Sequence, residues 1–433
     1  MTHARVSKAL TTLQAVISIA LIAVVAVSGY WWYTSSQARK AKLEVFTQFE
    51  VELEDLRQTL KIPAFSAAIV KNQELIWAKG FGYADLENKV EATPETPYHL
   101  ASVTKPFAAT IIMQLVEEGK LDLDDPVSRY GIDIDSPGIV KVRHLLTHTS
   151  EGIPGSSYNY RGDRYALLSS VITQASGRPF LELLINRILE PLDMTNTAPS
   201  IIEASELDRD FTYIHEELAK PYRLDSTYEV IEGEYPQHFS ASAGLISTVV
   251  DMAIFDIAID QNALVGQETK EQMFTPTVST TGAELPYGFG WFTQSYKGTR
   301  LIWHYGYWDC ISSLILKVPD EDITFIILAN TDMLSRPYRL GDGDVLTSTV
   351  ALVFLKTFVL QPKYDEPIPV IDWKADIDDL TDQLKQITDK ELQAIIDLEL
   401  LSYRKLYNGV GNWELSNKLL KARGEWISAR SSG

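Results

Sequence analysis

Ser102 and Lys105 stand three residues apart in the run His99-Leu-Ala-Ser-Val-Thr-Lys-Pro-Phe-Ala-Ala-Thr-Ile-Ile-Met-Gln-Leu-Val-Glu-Glu-Gly119, which reads as a buried helix closed by a glycine. Pro106 is tolerated only in a first turn, so the helix is predicted to begin close to Ser102. The spacing puts both side chains on one face. The positive end of the helix dipole favours negative charge developing on the serine oxygen. A lysine in an apolar setting loses basicity and can accept the serine proton, which makes an activated nucleophile. Spacing alone does not decide the matter, since Ser402-Tyr-Arg-Lys405 repeats the pattern. That copy falls mid-helix among charged tail residues and is expected to be solvated surface.

The other chemistry-bearing residues have plainer readings. His144 and His148 are spaced as zinc ligands on a helix can be, but no Glu follows His144, so the metalloprotease pattern fails. Arg161-Gly-Asp163 is read as a turn continuing into a helix. Cys310, the one cysteine, lies near an apolar strand and is read as core rather than nucleophile. A Gly-x-Ser-x-Gly elbow is absent, which argues against an α/β-hydrolase.

Two strand pairs frame these residues. Ser66–Val70 and Leu75–Ala78 read as one hairpin, and Ser312–Val318 with Ile323–Ala329 as another across Pro319-Asp-Glu-Asp322. Helical periods lie between the pairs. Thr248-Val-Val-Asp251 reads as a capping box. Pro362, Pro367 and Pro369 mark a linker, followed by amphipathic helix around Ile377–Leu406 and Trp413–Ile427, expected to pack on itself.

In chain order, the segments Ala101–Phe107, Val142–Ser150, Tyr160, Tyr165–Leu168, Ala175–Pro179, Ser242–Thr248, Tyr287-Gly-Phe-Gly-Trp291, His304-Tyr-Gly306 and Ala329-Asn330 resemble the serine hydrolases of the class C β-lactamase, penicillin-binding protein and esterase superfamily. Their conjunction is far more specific than any one of them. The resemblance implies an α+β fold: an antiparallel sheet flanked by helices, with a mostly helical subdomain and the site at their junction. It implies Ser102 as acylated nucleophile, Lys105 as its proton partner, and Tyr160 as the second-motif tyrosine. His304 and Gly306 would lie on the strand edging the site, with the Ser102 and Tyr307 amides as oxyanion hole. No metal or cofactor is called for, because nucleophile and bases are all side chains.

The sequence departs from that pattern in three places. Tyr160-Arg-Gly162 replaces the usual Tyr-x-Asn, with Ser157-Tyr-Asn159 as a rival register. The stretch from His148 to Tyr160 is short, which predicts a trimmed loop and a more open site. His304 replaces a lysine and grips a carboxylate less well. That tilts the expected substrate from penicillins toward esters, amides or D-amino-acid peptides. A fold-keeping sensor or scaffold without turnover is the rival to an enzyme.

With 39 Lys+Arg against 58 Asp+Glu, the net charge of −19 leaves no basic footprint for nucleic acid. From Ala9 to Ala38 no residue is charged, and Ala15–Val27 is strongly apolar before Tyr30-Trp-Trp-Tyr33. This predicts a single transmembrane anchor over 9–33, with a signal peptide cleaved after Ala26-Val-Ser28 as the competing reading. The expected organisation is a tail over 1–8, the anchor, a tether over 34–50, a hydrolase domain over 51–360 and a helical extension over 361–433. The substrate is expected to be a small molecule or peptide met outside the cytoplasm.

Overall fold

The computed structural model describes residues 43–200, 210–364 and 366–431. The chain divides into two units, Met1–Leu53 and Glu54–Gly433. In the first, the described residues 43–53 are helical. The expected anchor over 9–33 lies outside the described residues. No helix among those described is long and apolar enough to cross a membrane.

The second unit holds a seven-stranded antiparallel sheet. Its strands are β1 (Ala64–Lys71), β2 (Glu74–Asp85), β3 (Val90–Glu91), β4 (Phe292–Tyr296), β5 (Thr299–Trp308), β6 (Ile311–Val318) and β7 (Ile323–Ala329), in the order β3-β2-β1-β7-β6-β5-β4. Both expected hairpins form. β1 passes into β2 through Asn72 and Gln73, whose φ values of 51° and 60° give the mirror-image turn that suits twisted strands. β6 pairs with β7 from Ser312 opposite Ala329 to Val318 opposite Ile323. The two hairpins then join edge to edge, with Phe65 opposite Ala329.

The central strands are buried almost throughout and mostly apolar because helices cover both faces. Thr324 points toward α2 (Val249–Asp260), while its neighbour Phe325 stacks on Phe354 of the helix Thr349–Leu355 with ring centroids 5.0 Å apart. Thr248 caps α2 by accepting the Asp251 N–H, as its motif predicts. Between β3 and β4 the chain builds the helical subdomain, led by α1 (Thr104–Glu117), whose residues from Thr104 to Met113 are all buried. Gly119 (φ 67°) ends α1, with the Lys120 N–H returning to the Leu115 carbonyl.

The tail differs from expectation in two ways. The helix foreseen over Ile377–Leu406 is two, Ile377–Lys385 and Lys390–Gly409, because the Asp389 carboxylate caps the second by accepting the Glu391 and Leu392 N–H groups. Ser402 is not solvated surface: it is buried, and its hydroxyl donates to the Glu399 carbonyl at 2.8 Å. That copy of the Ser-x-x-Lys pattern is a helix packing against the body, pinned by a buried Lys356–Glu399 ion pair at 2.7 Å.

One buried ion cluster ties α2 to the sheet. Lys317 Nζ donates to Asp256 at 2.5 Å, to Asp260 at 2.9 Å and to Thr324 Oγ1 at 3.2 Å. Burial alone would strip its proton, but attraction to Asp256 and Asp260 prevails and raises its pKa above the usual value. Asp256→Ala removes the fully buried partner and leaves Lys317 only the more exposed Asp260, so it should cost about 3–5 kcal/mol in urea unfolding, and adding Lys317→Met should restore most of the loss.

Candidate active site

Ser102 sits in a tight turn, Ala101–Val103, that runs directly into α1. Ala101 takes the left-handed conformation (φ 45°), a strain of order 1–2 kcal/mol for a residue with a Cβ, so its surroundings must impose it. They do. The Leu100 N–H donates to the Leu245 carbonyl at 2.8 Å, and the Leu245 N–H donates to Thr104 Oγ1 at 3.1 Å. Thr104 Oγ1 donates in turn to the Ala101 carbonyl at 2.8 Å. From the sheet, Ser313 Oγ donates to the Leu100 carbonyl at 2.7 Å.

Lys105 is fully buried with its Nζ 2.8 Å from Ser102 Oγ and 2.9 Å from the Ser242 carbonyl. The carbonyl can only accept, so it takes a lysine N–H and leaves the nitrogen oriented toward the serine. Burial lowers the Lys105 pKa to about 7. The rings of Tyr160 and Tyr165 lie 5.0 and 5.2 Å from the same nitrogen. Tyr160 is shifted the other way: burial, reinforced by Tyr305, raises its pKa well above the usual phenol value, and the nearby Ser102 hydroxyl offsets this in part. Its hydroxyl makes no hydrogen bond of regular geometry with the protein. The pair is thus a base that can be neutral and an acid that keeps its proton, side by side on one serine.

Of the two tyrosine registers, only Tyr160 is brought to Lys105 and Ser102. Tyr158 is turned away, its hydroxyl donating to the Gly341 carbonyl at 2.9 Å. Arg161 directly precedes the helix Gly162–Ala166 and pairs with Asp163 and Glu151, so the Arg-Gly-Asp run is a helix entrance.

His304 is beside Tyr160, with ring centroids 6.3 Å apart, but both of its nitrogens are taken. Nδ1 donates to the Tyr305 carbonyl at 2.8 Å, so Nε2 must accept from the Tyr287 hydroxyl at 2.9 Å. Burial, then the charge of Lys105, holds its pKa well below the usual range. It is a neutral ring inside the wall, without a free proton to offer.

Gly306 is required by packing. A Cβ there would lie 2.2 Å from both the Leu100 carbonyl oxygen and Ser313 Oγ. The glycine lets the turn carrying Ser102 lie against β5 next to Tyr307, which is half-exposed at the rim.

Two residues of this cluster were not assigned to the site from sequence. His148 is buried in the left-handed region (φ 55°). Its Nδ1 accepts the Arg161 N–H at 3.1 Å and its carbonyl accepts the Asn159 N–H at 2.8 Å, so it grips the chain on both sides of Tyr160. The ring itself lies 4.3 Å from that of Tyr160. Tyr287 fixes the His304 tautomer. Both belong to segments that the sequence singled out, Val142–Ser150 and Tyr287–Trp291, but their partners lie in other segments. His144 faces elsewhere, its Nδ1 accepting the Lys141 N–H at 3.1 Å. Cys310 is fully buried, and burial raises its thiol pKa to about 12, so it has no nucleophile's character.

Comparison with known proteins gives the family and the fold. The family profile described as Beta-lactamase matches residues 51–343. The putative penicillin-binding protein PbpX of Bacillus subtilis (strain 168) is 27% identical over 297 residues, 60% of this chain and 71% of that protein. Penicillin-binding protein 4* of the same organism is 26% identical over 60% of this chain and 66% of its own length. Protein flp of Staphylococcus aureus (strain NCTC 8325 / PS 47) is 29% identical over 65% of this chain and 62% of its own length. Among solved structures, the octameric penicillin-binding protein homologue from Pyrococcus abyssi superposes with a TM-score of 0.59 at 28% identity, over 69% of this chain and 78% of that one.

The contact at Gly306 can be tested directly. Gly306→Ala forces the Ser102 turn off the strand, so it should lower stability by about 1–3 kcal/mol in chemical denaturation. Gly424→Ala, in a helix with open space around the added carbon, should leave stability unchanged or higher.

Proposed function

Since the chain belongs to the beta-lactamase family, whose profile spans residues 51–343, we propose that it is a serine hydrolase working through a covalent acyl-enzyme on an ester, an amide or a D-amino-acid peptide. The observation that carries this reading is the 2.8 Å contact of Ser102 Oγ with a buried lysine that no carboxylate among the described residues neutralises. Neutral Lys105 takes the Ser102 proton as Oγ bonds to the substrate carbonyl carbon. The resulting oxyanion is held by the Ser102 and Tyr307 N–H groups. Tyr160 gives its proton to the departing oxygen or nitrogen as that bond breaks, and recovers one from the Lys105 ammonium. Water then attacks the acyl-enzyme with the same groups reversing their roles. His304 and His148 act by positioning Tyr160 and keeping its surroundings uncharged.

Substrate class follows from the same wall. With His304 neutral and internally bonded, that ring offers a substrate carboxylate no charge, which favours uncharged acyl partners over penicillins. The exposed Tyr307 and Trp308 give the rim an apolar surface. The sensor reading is favoured by one feature, the missing amide in Tyr160-Arg-Gly162. The apolar run Ala15–Val27 supports a membrane anchor, and the proposed substrates, rather than the charges flanking the run, are what support a catalytic unit outside the cytoplasm.

The full-length chain and its Ser102→Ala variant, incubated with a short-chain nitrophenyl ester, a fluorophosphonate and a fluorescent penicillin, should differ by intact mass. A transient acyl adduct on the wild type alone, with ester turnover, supports the hydrolase. A lasting penicillin adduct without turnover supports the sensor, and no adduct on folded protein removes the catalytic reading. Only neutral Lys105 can accept the proton, so kcat/KM should rise with pH through an apparent pKa of about 7. Activity should therefore fall below that pH, and Lys105→Met should remove the limb while costing about 10²–10⁴-fold in rate.

A further inference from the structure

Behind the catalytic cluster lies a separate cavity of about 560 Å³. Two stretches of chain form the partition between them. From Val142–Ser150, His148 packs on Tyr160 while Arg143, His144, Thr147 and Thr149 line the cavity. From Tyr287–Trp291, Tyr287 bonds His304 while Phe289 faces the cavity. Residues 275–280 close the far side.

The lining has a distinct chemistry. It holds no carboxylate, and its one charged side chain, Arg143, is neutralised by Asp124 at 2.6 Å. Burial, then the neighbouring Lys141 and Arg143, lowers the His144 pKa to about 4, so the ring is neutral at physiological pH. Because His144 Nδ1 accepts a backbone N–H, its proton sits on Nε2, which lies along the Gly155 wall. Arg143 Nε is a buried donor without a partner. Thr277 and Thr280 bring hydroxyls to a lining that also holds Leu123, Pro276 and Phe289, while the buried hydroxyls of Thr147 and Thr149 bond each other at 2.9 Å. Donors and acceptors without net charge, together with apolar surface, match a molecule carrying hydroxyls around a carbon ring.

We propose that this cavity binds a neutral polyhydroxylated ligand, a sugar unit of one or two rings. Because its walls are the reverse sides of the segments bearing His148 and Tyr287, an occupant would bear on the residues that position Tyr160 and His304. Binding itself does not depend on Ser102 chemistry and is read separately from it.

The test is calorimetric titration of the full-length chain with cellobiose, maltose and N,N′-diacetylchitobiose, with glucuronate as the anionic control. Thr277→Val/Thr280→Val removes two hydroxyls at nearly constant volume, with an unchanged unfolding midpoint as the check on folding. At least one neutral disaccharide should bind the wild type, and the double variant should bind it at least tenfold more weakly. Ser102→Ala should bind it as the wild type does. Failure of all three sugars, equal binding by the double variant, or a preference for glucuronate would overturn the proposal.

Discussion

The site rests on an amine kept out of water with no counter-ion among the described residues. Lys105 is surrounded by Tyr160, Tyr165, a serine hydroxyl and a backbone carbonyl. Each neighbour tolerates the neutral form, and none compensates the charged one as a carboxylate would. A nearby Asp or Glu would stabilise the ammonium and disable the base. The same demand extends outward: His148 and His304, both within reach of the lysine's charge, are buried and neutral. Contrast Lys317, equally buried, which keeps its proton because Asp256 and Asp260 face it. One lysine is built as a base and the other as a fastener, and the carboxylates make the difference.

Much of the framework was legible because its signals are local. Both hairpins follow from apolar runs interrupted by turn residues, and the start of α1 from Pro106, which fits only a first turn. Ser102 and Lys105 share a face by helix geometry alone. Asp389 was a missed signal, since a capping aspartate after Thr388 divides what periodicity reads as one helix. Ser402 was misjudged because the charged residues near it mark the far face of an amphipathic helix, whereas its own face packs inward.

The supporting residues were not legible for a different reason. His148 acts on the backbone of residues 159 and 161, and Tyr287 on a ring seventeen positions away. Such roles exist only once three segments converge, so residue type and spacing carry no trace of them. His304 shows the converse. Its place beside Tyr160 was implied by resemblance, but its fixed tautomer, and therefore its inability to meet a substrate anion, comes from partners on other strands.

The pairing of β1 with β7 has a consequence for how the chain reaches this state. Ala64 N–H and Asn330 Oδ1, 266 residues apart in the chain, bond at 3.0 Å beside the register that joins the two hairpins. During synthesis the first hairpin emerges with one edge unpaired, and its partner is made only after the whole helical subdomain. Contacts so distant in sequence slow folding and leave an open, apolar edge exposed meanwhile. The early hairpin is therefore the segment with most need of protection in the nascent chain, and the last strands to be made are what relieve it.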